Sequence, residues 1–220
     1  MNFLQICARM ASKAGIAGVT PASSQNQVGE ALRVVNWCKD AYIDIQERRD
    51  DWSFMRKDFT FTCTIGNATY PASTVTDLAN WRKEDVRCYL SDTNDEQWLA
   101  YRDWETFRAT RLMGSQRTVT GRPQDYTVKP DRSMVLWPIP DQAYAIDGEY
   151  YRTSVPFFGD SDTPLFPRFH MAIVYQALMY YGAYSAEPSV YADAQKEFER
   201  LIDKLEYNET TLLTVGGALA

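Results

Sequence analysis

His170 is the only histidine in the 220-residue sequence, so any mechanism that needs an imidazole base must use this side chain. It stands at the start of an apolar segment that we interpret as a buried helix, where a structural role is favoured over a catalytic one. Acidic residues are plentiful, at 29, and a two-carboxylate hydrolase of the glycosidase type stays open as an alternative. The spacing of these residues, however, does not place two of them in one cleft.

The sequence lacks the common motifs for binding a phosphate group or a metal. It contains neither GxxxxGKS/T nor GxGxxG, the glycine-rich loops that hold phosphates. Cys7, Cys38, Cys63 and Cys88 lie far apart without a CxxC pair, which argues against a zinc or redox site, although two disulfides stay open as an alternative. We therefore predict that the protein is not an enzyme, has no catalytic residues, and binds no cofactor and no metal.

The charge balance indicates which partners to expect. With 29 acidic and 23 basic residues, the net charge is −6, and no Lys or Arg run is present to neutralise phosphates, so sequence-specific DNA binding is not expected. The apolar segment from Phe169 to Tyr184 spans about 24 Å as a helix, less than the roughly 30 Å of a membrane core, so no membrane partner is predicted. The first residues lack the pattern of a secretory signal, which favours synthesis in the cytoplasm.

Helices are predicted at both ends of the chain. The first covers Asn2 to Ala14, with Asn2 as N-cap and Phe3, Ile6, Met10 and Ala14 on one face. The second runs from Gln27 to about Arg56. Its core stripe comprises Val28, Leu32, Val35, Cys38, Tyr42 and Ile45.

Two more helices follow near the other end of the chain. The apolar segment from Phe169 to Tyr184 is predicted as a buried helix, which Pro188 ends. Ser189 is predicted to cap the last helix. The core stripe of this last helix comprises Val190, Ala194, Phe198, Leu201, Ile202 and Leu205.

The middle of the chain changes to a period of two, which is typical of strands. Phe59 to Ile65, Val86 to Leu90 and Trp98 to Tyr101 are predicted strands, followed by a short helix from Asp103 or Trp104 to Met113. Further alternation predicts a small antiparallel sheet, at positions Tyr126, Val128, Met134, Leu136, Tyr144, Ile146, Gly148 and Tyr150.

Together these elements predict an α+β fold: a bundle of N- and C-terminal helices with a central β-rich insertion and an extended C-terminal tail. We expect the N-terminal bundle helices in residues 1–57 and the β-rich insertion with its short helix in residues 58–158. The C-terminal bundle helices are expected in residues 159–207, and the tail in residues 208–220.

The sequence is rich in aromatic residues, with 14 Tyr, 10 Phe and 6 Trp. Tyr175, Tyr180, Tyr181 and Tyr184 occupy more than one face of the buried helix, which favours either a well-filled core or burial against another subunit. The last helix carries mixed charges that suit either a solvated surface or a contact between copies of the chain. Its candidate contact residues are Glu197, Arg200 and Lys204.

The tail from Asn208 to Ala220 has almost no charge and no helical period. A segment of this composition is either disordered or becomes ordered against a partner. Its apolar residues Leu212, Leu213, Val215 and Leu219 are the candidates for such a contact.

Several blocks of the sequence carry a family resemblance. The first block contains Gly121-Arg122-Pro123, Tyr126, Pro130-Asp131, Pro138, Pro140-Asp141, Tyr144 and Glu149-Tyr150-Tyr151-Arg152. The second contains Pro167, Phe169-His170, Ile173, Val174, Ala177, Leu178, Tyr181 and Gly182. Asn2-Phe3-Leu4 and the positions Trp37, Ala41 and Trp52 add to them. In these blocks the chain resembles the bacteriophage head-to-tail adaptor proteins, ring-forming neck components that join the portal to the tail.

The resemblance implies a homo-oligomeric, dodecameric ring in the virion neck, whose helical bundles stack beneath the portal. Its partners would be the portal protein and a tail or nozzle protein, with Leu212, Leu213, Val215 and Leu219 reaching the portal. DNA would pass through the central channel without sequence-specific binding, which agrees with the acidic balance. The carboxylates of the last helix are candidates for lining that channel.

Three other functions stay open. The chain could be a different neck or tail ring, such as a stopper or a tail terminator. It could also be the carboxylate-pair hydrolase considered above, which would require one cleft with two facing carboxylates. The third is a sugar- or receptor-binding module, which would require exposed aromatic side chains at a free edge of the β region.

Overall fold

The computed structural model describes residues 1–16, 21–93 and 95–209. These residues form two compact units. The first, here called the helical unit, comprises Met1–Met55 and the described residues from Ser154 onward. The second, the β unit, comprises Arg56–Thr153. The predicted α+β fold, with helices at both ends and a central β region, is confirmed.

The described residues contain five α-helices, of which the third lies in the β unit. They are α1 (Phe3–Lys13), α2 (Gly29–Glu47), α3 (Trp104–Arg111), α4 (Met171–Tyr184) and α5 (Pro188–Glu209). In the helical unit, α4 packs against α1, α2 and α5, so the most apolar helix is also the central one.

Helix α1 begins as the sequence predicts. The Asn2 side chain accepts the Gln5 backbone N–H at 2.9 Å, and the Gln5 side chain accepts the Asn2 backbone N–H at 3.0 Å, which forms a capping box. Phe3, Ile6 and Met10 are fully buried, which confirms most of the predicted face.

Helix α2 is shorter than predicted and its core stripe is shifted. It ends at Glu47 because the following charged residues offer no apolar face, and the Trp52 indole donates to the Ile45 carbonyl at 3.0 Å across the turn. A 3₁₀ turn at Ser53–Met55 then leads into the first strand. The prediction for Val28 and Leu32 was wrong: these side chains are 80% and 41% exposed and lie outside the buried face.

Helices α4 and α5 form a closely packed pair. A Cβ atom at Gly182 would lie 2.9 Å from the Tyr191 backbone nitrogen, so this close approach requires glycine. Helix α5 begins at Pro188 itself, because proline fits the first turn, where its missing N–H has no partner to lose. The predicted α5 stripe is buried apart from Val190, which is half-buried.

The β unit contains nine described strands. They are β1 (Arg56–Thr62), β2 (Thr69–Tyr70), β3 (Leu78–Trp81), β4 (Arg87–Tyr89), β5 (Gln97–Trp98), β6 (Ala100–Tyr101), β7 (Asp125–Val128), β8 (Met134–Trp137) and β9 (Ala145–Arg152). One sheet has the order β1-β9-β4-β5, with β3 also paired to β9. The other has the order β2-β8-β7-β6.

The predicted antiparallel sheet is confirmed for β7 and β8, but placing β9 in it was wrong, because β9 belongs to the other sheet. There it pairs with β1 over seven positions, from Arg56 opposite Tyr151 to Thr62 opposite Ala145. Alternation of apolar residues shows which face of a strand is buried but not which strand is its neighbour. The short helix α3 is confirmed, with the Asp103 side chain capping the Thr106 N–H at 2.9 Å.

Candidate interface surfaces

The tyrosines predicted for subunit contacts lie on two sides of α4. Tyr175 is on the side of α1, where the Lys13 ammonium group lies 4.9 Å from its ring centroid. Both residues line a groove of about 270 Å³, together with Leu178, Val190, Asp193, Ala194 and Glu197. We call this the α1 groove. Tyr180, Tyr181 and Tyr184 are on the side of α2.

Tyr180 is held by hydrogen bonds at the surface of α2. Its hydroxyl donates to Asp44 and accepts Gln176 Nε2 at 2.9 Å. Burial, followed by the bond to Asp44, raises the pKa of Tyr180, so the hydroxyl stays protonated and acts as a donor. Partial burial and the charge of Asp44 also raise the pKa of Asp40, one helical turn away, while Lys39 partly offsets this.

Tyr181 and Tyr184 pack against Trp37 of α2. Their ring centroids lie 5.9 and 5.6 Å from that of Trp37, and the Arg33 guanidinium lies 4.7 Å above the Tyr184 ring. Tyr184 remains 58% exposed, whereas Tyr175, Tyr180 and Tyr181 are half-buried. Most of the burial that the tyrosines need is therefore supplied by the same chain, and Tyr184 keeps the largest free surface.

The charged face of α5 is largely solvated. Arg200 pairs with Glu197 at 2.7 Å, and the hydrogen bond from Arg200 lowers the pKa of Glu197. The side chain of Lys204 makes no ion pair with a described residue, although its backbone carbonyl accepts Asn208 Nδ2 at 2.6 Å. The role of Glu197, Arg200 and Lys204 in subunit contacts stays a prediction.

His170 connects the start of the chain to α4. The Met1 amino group lies 2.7 Å from its Nδ1, and the Phe166 carbonyl lies 3.0 Å from its Nε2. Burial, followed by the nearby amino-terminal charge, lowers the pKa of His170, so the ring is neutral at pH 7. This geometry fits an imidazole whose Nδ1 accepts a hydrogen bond from the Met1 amino group and whose Nε2 donates one to the Phe166 carbonyl. His170 then positions the first residue of the chain against the start of α4.

The β unit has a cleft of about 590 Å³, here called the β cleft. It is lined by Asp58, Phe59, Thr60, Arg82, Asp85, Arg87, Tyr89, Trp98, Asp147, Gly148 and Glu149. The Asp147 carboxylate receives two hydrogen bonds from Arg87, at 3.1 and 2.6 Å. Glu149 receives hydrogen bonds from Arg56 and Arg82.

The ion pairs of Glu149 bear on whether the β cleft suits a carboxylate-pair hydrolase. Partial burial alone would raise the pKa of Glu149, but the hydrogen bonds and charges of Arg56 and Arg82 outweigh it and lower the pKa. A glycosidase acid must instead hold a proton near neutral pH, which requires a raised pKa. Glu149 therefore does not fit the role of general acid.

Trp98 is a surface feature that the sequence did not single out as a site. It lies on β5, at the edge of its sheet, with 61% of its surface exposed. The Arg87 guanidinium lies 5.6 Å from its ring centroid. An exposed aromatic residue at a free edge is the feature that the sugar- or receptor-binding alternative requires.

Other predicted features lie inside the two units or outside the described residues. All four cysteines are buried free thiols. Among residues 1–16, 21–93 and 95–209, no group of three or more His, Cys, Asp or Glu side chains is placed to hold a metal ion. None of the described helices has the length and apolar character needed to cross a bilayer. The tail candidates Leu212, Leu213, Val215 and Leu219 lie outside the described residues.

Sequence reasoning did not identify Trp37, Arg33, Asp40 and Asp44 as candidate interface residues. A signal for them was present, because these four positions follow one another at three- and four-residue steps on α2 and therefore share one face. That face could not be matched to α4 from the sequence alone, since the pairing of two helices depends on long-range packing.

The α+β fold, with helices from both sides of the β unit joined in one helical unit, agrees with the architecture that the resemblance to phage head-to-tail adaptor proteins implies. The family model described as SU10 adaptor protein matches residues 1–216, and the chain belongs to this family. A search of curated proteins found no match. Family membership supports a phage adaptor role, implies portal and tail proteins as partners and a place in the virion neck, and suggests a structural rather than catalytic protein.

Proposed function

We propose that this chain is a non-enzymatic structural subunit of a bacteriophage neck, which forms a homo-oligomeric ring between the portal and the tail. The observation that carries the proposal is the family match over residues 1–216, which covers both units. A dodecameric ring, as the sequence resemblance implies, would bind the portal on one side and a tail or nozzle protein on the other. The subunit would be made in the host cytoplasm and built into the virion.

The central channel of the ring would let DNA pass without binding its sequence. The net charge of −6 supports this, because carboxylates repel phosphates and a passage for DNA should not retain it. Exposed acidic side chains of α5, such as Asp193, Glu199 and Asp203, remain the candidates for lining the channel.

Cryo-electron microscopy of the neck of the phage that encodes this chain tests the proposal. We expect a ring of this subunit, with both units fitted into density directly beneath the portal. The same images separate the adaptor from a stopper or tail terminator, because these would lie further from the portal. Density for this chain elsewhere in the particle, or its absence from the particle, would contradict the proposal.

The proposed contact with the portal is tested separately, by changing the C-terminal segment of this chain. We expect deletion of residues 210–220 to abolish or strongly weaken binding to the portal ring, measured by mass photometry of the mixed proteins. The full-length chain with Tyr207→Ala is a suitable control, because Tyr207 is 79% exposed at the end of α5 and lies before the deleted segment. Hydrogen exchange of residues 208–220 should slow on portal binding, and unchanged binding and exchange would reject the tail contact.

Trp98 favours a second candidate function, a sugar- or receptor-binding module of the same particle. The exposed ring on edge strand β5 could stack on the apolar face of a pyranose, next to the charged side chains of the β cleft. Binding of the full-length chain to a glycan array, lost in Trp98→Ala and kept in Met113→Ala, would support this candidate. Met113 is an apolar control with 62% exposure in the same unit.

A further inference from the structure

Two acidic side chains on α2 are only partly balanced by basic side chains. Asp40 and Asp44 are one helical turn apart, and neither makes an ion pair with a described residue. Like charges at this spacing repel one another and destabilise a helix. Of the basic residues nearby on the same helix, Arg33 pairs with Glu30, and Lys39 acts on Asp40 through its charge without forming an ion pair.

Two basic side chains on α1 show the opposite situation. Arg9 and Lys13 are also one turn apart and exposed, and neither makes an ion pair with a described residue. Lys13 covers the Tyr175 ring instead. Acidic residues do line the α1 groove, but Glu197 pairs with Arg200, which leaves Asp193 as the carboxylate not engaged there by a described ion pair.

The two pairs accompany tyrosines that point in different directions. Tyr175 lies beside the basic pair and Tyr180 beside the acidic pair. Because they are five residues apart on α4, their side chains diverge by about 140° around the helix axis. The helical unit therefore has an acidic face (Trp37, Asp40, Asp44, Tyr184), where Arg33 is paired with Glu30, and, on another side, a basic face (Arg9, Lys13, Tyr175), which Asp193 and Glu197 border.

Such a pair of faces suits a head-to-tail contact between identical subunits. A ring closes through two different surfaces on each copy, which must be complementary to one another. We propose that the acidic face of one copy docks against the basic face of the next copy in the ring. This inference rests on the proposed ring function and adds to it the residues that join neighbouring subunits.

The acidic face also supplies an anchor for this contact. Tyr184 is 58% exposed, and its phenol packs against Trp37. The phenol is therefore held in place before binding and loses little conformational freedom when a second copy covers it. The opposite charges orient the approaching copy and disfavour contact between two acidic faces.

Charge reversal on the full-length chain tests the proposal, with rings counted by mass photometry and electron microscopy in the presence of the portal. Variant A is Asp40→Lys with Asp44→Lys, and variant B is Arg9→Glu with Lys13→Glu. In either variant alone, like charges would face one another at every contact. We expect about tenfold fewer rings, or none, from each variant alone.

An equimolar mixture of A and B should restore the rings. The basic α2 surface of A then meets the acidic α1 surface of B, and the unchanged surfaces meet at the next contact. Rings from the mixture should contain both variants in equal amounts. A control variant with the same charge change as A, Asp50→Lys with Asp92→Lys, alters exposed residues outside both faces and should form rings like the wild type.

The outcomes separate this inference from the proposed function. If A and B each form normal rings, or if both are folded by circular dichroism and their mixture forms none, the two faces do not meet and the inference is overturned. If the wild-type chain forms no ring on the portal, the proposed ring function itself is wrong, and the inference is overturned with it.

Discussion

In the β unit, most arginine ion pairs join segments that are far apart in the sequence, whereas three of the four arginine ion pairs in the described helical unit join residues at most three positions apart, and charged pairs of both signs stay open at its surface. The ion pairs of the β unit include Arg56–Glu149, Arg82–Glu149, Arg87–Asp147, Arg111–Asp125, Arg122–Asp95 and Arg152–Asp77. In the helical unit, Asp40 and Asp44 on one face and Arg9 and Lys13 on another make no ion pair with described residues.

This difference shows which surfaces of the protein carry charged side chains without an ion-pair partner among the described residues. The β unit has its own apolar core, with buried side chains such as Phe59, Trp81 and Tyr126, and side-chain bridges between distant segments add to it. The helices bury continuous apolar stripes, and the ion pairs on their outer faces mostly join residues close in sequence. Outer faces with charges that form no ion pair and an exposed Tyr184 are therefore available for contacts with partner proteins.

The most severe test of the comparison removes the buried carboxylate of the β unit. The Asp125 side chain is only 6% exposed and lies 2.6 Å from Arg111 Nη2 and 3.0 Å from Arg102 Nε. Asp125→Asn keeps the shape but leaves two partly buried guanidinium groups unbalanced. We expect the free energy of unfolding of the β unit to fall by about 3 kcal/mol in urea titrations.

The exposed control Asp92→Asn should change that free energy by less than about 0.5 kcal/mol. If Asp125→Asn were as mild as the control, this ion pair would not contribute to the stability of the β unit, and the comparison would fail.

A change in the helical unit should act through packing alone. Gly182→Ala places a methyl group 2.9 Å from the Tyr191 backbone nitrogen and 3.1 Å from its Cα, so α4 and α5 must separate. Overpacking costs about 1 to 3 kcal/mol, against a gain of about 1 kcal/mol in helix propensity. We expect a net destabilisation of about 1 kcal/mol in thermal or urea unfolding.

Gly159→Ala is the matched control in the same unit, because the nearest atom to its added Cβ is a flexible carboxylate oxygen 3.8 Å away. It should be neutral or slightly stabilising. A stabilised Gly182→Ala would show that α5 is packed more loosely against α4 than described.

The smallest effect is a difference in pH dependence between the units. The lowered pKa of Glu149 means that its stabilising contribution is present above its ordinary pKa of about 4.3 and is lost as the pH falls through the lowered value. The raised pKa of Asp40 has the opposite sign, since protonation as the pH falls relieves the cost of its partial burial and then its repulsion with Asp44. Each contribution should be at most about 1 kcal/mol.

Hydrogen exchange resolved by residue between pH 7 and pH 3 measures both effects, because it reports each unit separately. Glu149→Gln should flatten the acid-induced loss in the β unit, and Asp40→Asn should remove the opposing gain in the helical unit. Identical pH profiles for wild type and both variants would show that these ionisations do not distinguish the units.

The sequence predicted the secondary-structure elements better than it predicted which elements pack or pair with one another. The Asn2 cap and the buried stripes of α1 and α5 follow from local spacing, and all three were found. The length of α2 was overestimated because charged residues after Glu47 were read as a solvated helix face, although the Trp52 indole turns back to Ile45. The placement of β9 in the other sheet depends on pairing with a strand about ninety residues earlier in the chain, which no local pattern encodes.

The candidate site was predicted as a set of residues rather than as surfaces. The four tyrosines were recognised from their spread around one helix, but their division between α1 and α2 requires knowledge of which helix packs on each side. Tyr184 of α4 contacts Arg33 and Trp37, which follow helical spacing on α2. That spacing does not show that α2 packs against α4. Contacts across the chain therefore account for most of what the sequence left undetermined.

Strand β9 also governs when the β unit can form during synthesis. In the described part of the chain, β1 and β3 are paired only with β9, whose last residue is Arg152. At a translation rate of about 5 to 20 residues per second, β1 leaves the ribosome roughly 5 to 20 seconds before β9 is complete. During that interval β1 lacks its partner strand β9, so pairing of its open edges with other nascent chains competes with correct folding.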